Sequence, residues 1–190
     1  MIHVSVVVPT FKRPMLLDRC LEALPAQNYT PVNYEVSIVD DAACDHTRCQ
    51  VEQYAKGGAM NGFTIHYIAV TKSHGPAAAR NIGLYATSGE IIAFTDDDCL
   101  PSPGWLKAGV KAMTNGAVAV AGMTIVPLPP APTDYEYNAS WLEHSEFVTS
   151  NLHPARTGCL LYSCSRSSCI TSSSISPMGS EYLPTKEEFI

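Results

Sequence analysis

The fold is decided by residues His74–Leu100, which read HGPAAARNIGLYATSGEIIAFTDDDCL. Gly75 and Pro76 favour the start of a helix, because proline lacks the N–H group that would be unpaired there. The alanines that follow favour helix, and Gly89 favours its end. Ile91–Thr95 is short, apolar and rich in β-favouring residues, as expected of a strand covered on both faces. This strand leads directly into three consecutive aspartates, Asp96, Asp97 and Asp98.

The aspartate cluster favours a metal site over a simple acidic turn. Adjacent carboxylates repel one another, so bringing them together costs free energy unless a cation or hydrogen-bond donors compensate. In an extended segment, Asp96 and Asp98 project to the same side. Carboxylate oxygens suit Mg²⁺ or Mn²⁺, especially when phosphates complete the coordination. Open α/β sheets bind ligands at the carboxyl ends of their strands, and the cluster lies at such an end. An acidic turn ahead of the next helix is the alternative.

Composition narrows the class of protein. A chain of 190 residues is long enough for one domain with a sizeable core, or for one domain plus a tail. The formal net charge of −6 and the lack of a basic cluster argue against a nucleic-acid partner. No apolar run approaches the roughly 18 residues of a membrane span, and Met1–Thr10 does not resemble a signal peptide. We therefore expect the cytoplasm, with a peripheral position at a membrane surface left open.

Strand and helix patterns alternate along the first 126 residues. Strands are predicted at Val4–Val8, Tyr34–Val39, Phe63–Ile68, Ile91–Thr95 and Ala117–Val126. Helices are predicted to start near Pro14, Thr47, Pro76 and Pro103. This alternation is typical of an α/β fold with a mostly parallel sheet, right-handed crossovers and helices on its faces.

The sequence divides into three parts. Residues 1–126 carry the α/β pattern, and residues 127–151 begin with a proline-rich linker, followed by a possible helix over Asp134–Ser150. Residues 152–190 are rich in serine and cysteine, and neither a helical nor a strand period persists there. Because such a stretch can bury little apolar surface, we expect a disordered tail, produced by a frameshift or a truncation.

Four segments together resemble a known family of enzymes. They are VSVVVPTFKR at Val4–Arg13, EVSIVDD at Glu35–Asp41, GPAAARNIG at Gly75–Gly83 and IIAFTDDDCLPSPGWL at Ile91–Leu106. In this order they are similar to the inverting family 2 glycosyltransferases, over about residues 1–151. The resemblance implies a GT-A fold, incomplete in this chain, with residues 1–126 as its nucleotide-sugar-binding half and 127–151 as the start of the acceptor region. It also implies a nucleotide-diphosphate sugar as donor, Mn²⁺ or Mg²⁺ as cofactor, and a glycan, lipid or protein as acceptor.

The resemblance also implies a role for each matching residue. Residues that line the nucleotide pocket after the first strand are Pro9, Thr10, Phe11 and Arg13. Asp40 would accept a hydrogen bond from the base, with Asp41 beside it, although a plain helix cap is the alternative for Asp40. Residues that hold the donor are Arg80 and Asn81. Residues that contact ribose and metal are Asp96 and Asp97, and the direct metal ligand is Asp98, assisted by Asp96.

No catalytic base is recognisable in the sequence. An inverting transfer needs a group that takes the proton of the acceptor hydroxyl. Glu181, Glu187 and Glu188 lack the pattern that surrounds the family's catalytic acid, so we expect donor binding with slow or absent transfer. A non-catalytic nucleotide-sugar-binding remnant is one alternative. The other is a haloacid-dehalogenase-like phosphatase, which also places D-x-D after a buried strand, but Leu100 stands where that family has Thr or Val.

Overall fold

The structure, a computed structural model, describes residues 3–58, 62, 64–72, 74–115, 117 and 119–122, and the backbone of 159–163, 169–170 and 175–178. Its strands are β1 Val4–Thr10, β2 Tyr34–Asp40, β3 Thr64–Ala69, β4 Ile91–Thr95, β5 Leu100–Pro101, β6 Ala119–Gly122, β7 Cys159–Ser163, β8 Cys169–Ile170 and β9 Ile175–Met178. Its helices are α1 Pro14–Ala23, α2 Asp45–Gly58, α3 Pro76–Ala86 and α4 Trp105–Thr114, and a short 3₁₀ turn covers Pro31–Asn33.

The strands form a mostly parallel sheet, which confirms the predicted fold class. Seven strands lie in the order β3-β2-β1-β4-β7-β6-β9, and within this sheet only the β6–β9 pair is antiparallel. The strands β5 and β8 form a separate parallel pair. In the main sheet, Thr10 at the end of β1 lies beside Asp40 at the end of β2. The polar residues that follow β1, β2 and β4 therefore reach the same edge of the sheet.

Helices cover both faces of the central strands. Every residue of β1 and of β4 is buried, as expected of strands between two helical layers. Val6 and Val8 of β1 pack in a core shared with α1, α2 and α4, whereas Val7 packs on the opposite face with α3. The approach of α3 is close at Gly83, where an added Cβ would lie 2.3 Å from Cγ1 of Val7. A glycine at this position therefore sets how near α3, which carries Arg80, lies to the sheet.

Element boundaries differ from the predicted ones where capping outweighs the apolar pattern. The helix expected to start near Pro103 begins at Trp105, because Ser102–Gly104 form a turn in which the carbonyl of Ser102 accepts from the N–H of Trp105. The second helix begins at Asp45 rather than Thr47, since an acidic residue is favourable in the first turn. The fifth strand is described over Ala119–Gly122, and residues 123–126, the linker and the predicted helix over 134–150 lie outside the described residues.

Three short strands lie in the tail, where the sequence predicts no regular structure. Cys159–Ser163 lies between β4 and β6 and pairs in parallel with both. An unpaired β4 would leave a row of exposed backbone groups at the sheet edge, and backbone pairing needs no amphipathic period in the added strand. The disorder expected for residues 152–190 as a whole stays a prediction. The division at residues 126 and 151 and the frameshift or truncation stay predictions.

Candidate functional site

A cavity of about 540 Å³ lies at the carboxyl edge of the sheet. Its lining comes from the end of β1, from the segments that follow β1, β2 and β4, and from the first turns of α3. The lining residues are Pro9, Thr10, Phe11, Arg13, Asp41, Pro76, Ala79, Arg80, Asp96 and Asp98. The structure thus brings most of the predicted site residues to one cavity, whereas Asp40, Asn81 and Asp97 do not line it.

Asp97 lies beneath the cavity rather than on its surface. Its side chain is 0% exposed. One carboxylate oxygen accepts a hydrogen bond of 2.7 Å from the hydroxyl of Thr10, and the other lies 2.7 Å from Nη2 of Arg13. Burial raises the pKa of Asp97, while Thr10 and Arg13 oppose this rise. Without these two partners, a charged carboxylate in this buried position would cost much free energy.

The other two aspartates are also paired with arginines. Nη1 of Arg13 lies 3.2 Å from Oδ2 of Asp98, and Nη2 of Arg80 lies 2.6 Å from Oδ1 of Asp96. Burial raises the pKa of Asp98, Arg13 lowers it, and Asp96 raises it further. Each of the three adjacent carboxylates therefore contacts a guanidinium. In the structure, two arginines therefore offset the repulsion among the three aspartates.

Asp40 is directed into the protein. Its side chain is buried, and its carboxylate accepts hydrogen bonds from the N–H groups of Ala42 at 2.9 Å and Cys44 at 2.7 Å. The hydroxyl of Tyr67 donates to the same carboxylate at 3.0 Å. Ala43 between these donors has φ +47, a left-handed conformation that an alanine adopts only at a cost. Asp40 is thus placed as the cap of this turn, and it does not face the cavity as a contact to the base would require.

Asp41 faces the cavity and also fixes the start of α3. Its carboxylate accepts from the N–H of Gly75 at 2.8 Å, and Nδ1 of His74 lies 2.8 Å from its other oxygen. Gly75 has φ +113, which favours glycine at this position. His74 and Tyr67 have no predicted role in the sequence, although both hold an aspartate at the sheet edge. The only sequence signal for His74 is its place in the loop just before the Gly-Pro helix start.

The arrangement fits a divalent cation that is bound together with another molecule. Within the described residues, no three His, Cys, Asp or Glu side chains come together as a metal site. Asp96 and Asp98 both line the cavity and offer hard oxygen ligands. Two carboxylates leave most of the coordination of Mn²⁺ or Mg²⁺ to other ligands, and the oxygens of a phosphate group in the cavity would supply them.

Comparison with known proteins identifies the family. The family model described as glycosyl transferase family 2 matches residues 5–165. The chain belongs to this family. The match extends beyond Asn151, where the resemblance read from the sequence ends. Membership in this family also leaves the haloacid-dehalogenase-like phosphatase alternative without support.

Individual relatives match about two thirds of the chain. Glycosyltransferase AglE of Haloferax volcanii is 34% identical over 119 residues, which is 63% of this chain and 38% of AglE. The solved structure of the mannosyltransferase PcManGT from Pyrobaculum calidifontis, in complex with GDP-Man and Mn²⁺, has a TM-score of 0.58 at 28% identity. That likeness covers 72% of this chain and 38% of PcManGT. TarS of Staphylococcus aureus, in complex with UDP-GlcNAc, has a TM-score of 0.58 at 26% identity and covers 69% of this chain and 37% of that one.

These likenesses confirm the GT-A fold for the part of the chain that they cover. The chain spans less than half the length of AglE, PcManGT or the TarS structure. Its family and fold follow from the matches, and its donor, metal and acceptor are matters for a proposal.

Proposed function

We propose that this chain is the donor-binding part of a glycosyltransferase, which transfers a sugar from a nucleoside-diphosphate donor with the help of Mn²⁺ or Mg²⁺. The observation that carries this proposal is the cavity at the sheet edge. It combines three carboxylates, two guanidiniums and an exposed aromatic ring, contributed by the segments after β1, β2 and β4 and by α3. The family of the chain supports the reaction class, and the acceptor is a glycan, a lipid or a protein.

The base of the nucleotide would lie between the segments after β1 and β2. Phe11 is 51% exposed and lines the cavity, so its ring offers an apolar surface for a flat base. Asp41 offers carboxylate oxygens on the same cavity and is held there by Gly75 and His74. In this proposal Asp41 takes the base-facing role that the sequence assigns to Asp40, while Asp40 holds the turn that precedes α2.

The diphosphate would lie between Arg13 and Arg80. A guanidinium carries a permanent charge and a planar set of donors that matches phosphate oxygens. Both arginines line the cavity and both contact an aspartate of the cluster. Asn81, one residue further along α3, does not line the cavity, and its contact with the donor stays a prediction.

Asp96 and Asp98 would hold the divalent cation together with the phosphate oxygens. When bound, the cation would neutralise the negative charge that develops on the leaving nucleoside diphosphate. Asp97 is buried and would act beneath them by fixing Arg13.

The residue that accepts the proton of the acceptor hydroxyl is not assigned by this proposal. Glu181, Glu187 and Glu188 lie outside the described residues, so their relation to the cavity stays a prediction. We propose that the chain by itself binds donor well and transfers sugar slowly, because a positioned base contributes roughly 10²–10⁴-fold to the rate.

The proposed location is the cytoplasm, and a peripheral position at a membrane surface is the alternative. Among the described helices, none combines the length and the apolar character needed to cross a membrane.

Thermal unfolding with nucleotide and metal tests the proposal. UDP or GDP together with Mn²⁺ or Mg²⁺, at one hundred times the dissociation constant, should stabilise the chain by about 2.7 kcal/mol. For a chain of this size the Tm should rise by roughly 5–10 °C. Inorganic phosphate with the same metal serves as the control and should give a much smaller rise. A Tm that does not respond to nucleotide and metal together would rule out the donor site.

A further inference from the structure

Arg13 contacts two aspartates whose surroundings differ. One nitrogen of its guanidinium lies 2.7 Å from Asp97, which is 0% exposed, and the other lies 3.2 Å from Asp98, which is 13% exposed and lines the cavity. The Arg13 side chain itself is 46% exposed. The Asp97 end of the first contact is therefore buried, and the hydroxyl of Thr10 fixes the Asp97 carboxylate with a hydrogen bond of 2.7 Å. The contact between Arg13 and Asp98 is the more exposed of the two.

The bond between Arg13 and Asp98 conflicts with metal binding. Oδ2 of Asp98 is among the oxygens that a cation in the cavity would use, and a guanidinium already lies 3.2 Å from it. Two positive charges a few ångströms apart repel each other even in water, and more strongly beside a protein surface. A cation that binds Asp98 alone must therefore displace Arg13 or bear this repulsion. A phosphate group removes the conflict, because it offers Arg13 a new partner of opposite charge.

We propose that Arg13 is a built-in counter-ion that keeps Asp98 from binding a divalent cation until a nucleoside diphosphate is present. On binding, the guanidinium keeps its bond to the buried Asp97 and exchanges Asp98 for the phosphate. The metal and the nucleotide then favour each other's binding, and by linkage the effect on the two affinities is equal. This inference rests on the proposed donor site and adds to it a specific residue that couples the metal to the donor.

The coupling can be measured directly with Mn²⁺. The Kd of Mn²⁺ is determined from the electron paramagnetic resonance signal of the free ion, without nucleotide and with saturating UDP or GDP. The ratio of the two values is the coupling factor. The variants are Arg13→Gln and, as a matched control, Arg48→Gln. Arg48 is 52% exposed and also pairs with an aspartate, Asp45, but it does not line the cavity.

Arg13→Gln should tighten the binding of Mn²⁺ alone by about tenfold, because a neighbouring positive charge is removed. The Kd of Mn²⁺ with saturating nucleotide should change little, because Arg13 then contacts the phosphate instead of Asp98, so the coupling factor falls by about tenfold. Arg48→Gln should leave all three quantities within twofold of the unmodified chain. This control has the same change in net charge, so it separates a local effect of Arg13 from a general one.

Removing Arg13 leaves the buried Asp97 without its cationic partner, and this can unfold the chain. The double variant Arg13→Gln/Asp97→Asn removes the buried charge as well, and it retains Asp96 and Asp98. Its reference is Asp97→Asn, relative to which it should bind Mn²⁺ alone about tenfold more tightly. Unchanged binding of Mn²⁺ alone in a folded Arg13 variant, or an equal change in Arg48→Gln, would overturn the inference while the donor site stands. If the unmodified chain binds no nucleotide with Mn²⁺, the proposed function fails, and the inference fails with it.

Discussion

Replacing Gly83 by alanine tests how closely α3 is packed on the sheet. An added Cβ would lie 2.3 Å from Cγ1 of Val7 and 3.1 Å from Cγ2 of Val39. Carbon atoms in contact lie about 3.5–4.0 Å apart, so the helix would have to move outward by about 1 Å. Val7 is 0% exposed in the central strand and has no room to yield. Overpacking of this kind costs about 1–3 kcal/mol, and the better helix propensity of alanine returns up to about 1 kcal/mol. We expect a net loss of about 1–2 kcal/mol and a fall in Tm of roughly 2–8 °C.

Gly57→Ala in α2 is the matched control, because nothing lies within 4 Å of its added Cβ. This control should be neutral or more stable by up to about 1 kcal/mol. Both variants are measured by urea unfolding followed by far-ultraviolet circular dichroism. Val7→Ala combined with Gly83→Ala should cost less than the sum of the two single changes, since it restores space for the helix. A Gly83→Ala chain as stable as the unmodified one would refute the packing argument. Because α3 carries Arg80, the destabilised variant should also bind nucleotide more weakly.

Two further substitutions test the surroundings of the buried polar groups. Burial raises the pKa of Tyr34 to about 12, so above pH 10 the unfolded chain loses this proton first and stability falls as the pH rises toward 12. Tyr34→Phe loses the 3.0 Å hydrogen bond to the carbonyl of Leu24, which should lower the free energy of unfolding by about 1 kcal/mol at pH 8. The same variant should show a smaller loss of stability between pH 10 and 12, measured by urea unfolding. Asp40→Ala leaves two N–H groups and the hydroxyl of Tyr67 without their acceptor, so it should lower stability by about 3 kcal/mol in the same assay. A fully stable Asp40→Ala would mean that Asp40 does not cap the turn.

The central strands could be predicted closely from the sequence because each is a short apolar run bounded by a turn or by polar residues. Val4–Thr10 and Ile91–Thr95 are buried on both faces, and nothing in their sequences competes with a strand. Helix starts were predictable at Pro14 and Pro76, where proline occupies the first position of α1 and α3. The start of α4 could not be predicted in the same way, because a turn through Gly104 follows Pro103 and the helix begins only at Trp105.

The sequence also predicts that the site residues lie close together, because the carboxyl ends of parallel strands lie at the same edge of the sheet. The directions of individual side chains could not be predicted. Asp40 and Asp41 are adjacent in the sequence, yet one points inward to cap a turn and the other faces the cavity. The difference depends on the left-handed Ala43 and on Tyr67 from another strand, neither of which forms a local pattern. The contact of Arg13 with Asp97 joins two distant parts of the chain and likewise requires the folded structure.

The role of Asp98 gives the most direct test of the donor site. Isothermal titration calorimetry with UDP and GDP, each with and without Mn²⁺, compares the unmodified chain with Asp98→Asn and with Glu52→Gln. Glu52 is an exposed acidic residue of α2 outside the cavity, so it controls for the loss of one negative charge. The account predicts Mn²⁺-dependent nucleotide binding in the unmodified chain and in Glu52→Gln. It predicts loss of that dependence in Asp98→Asn, with an unchanged or slightly higher Tm because repulsion among the aspartates falls. Nucleotide binding by Asp98→Asn with undiminished Mn²⁺ dependence would contradict the account.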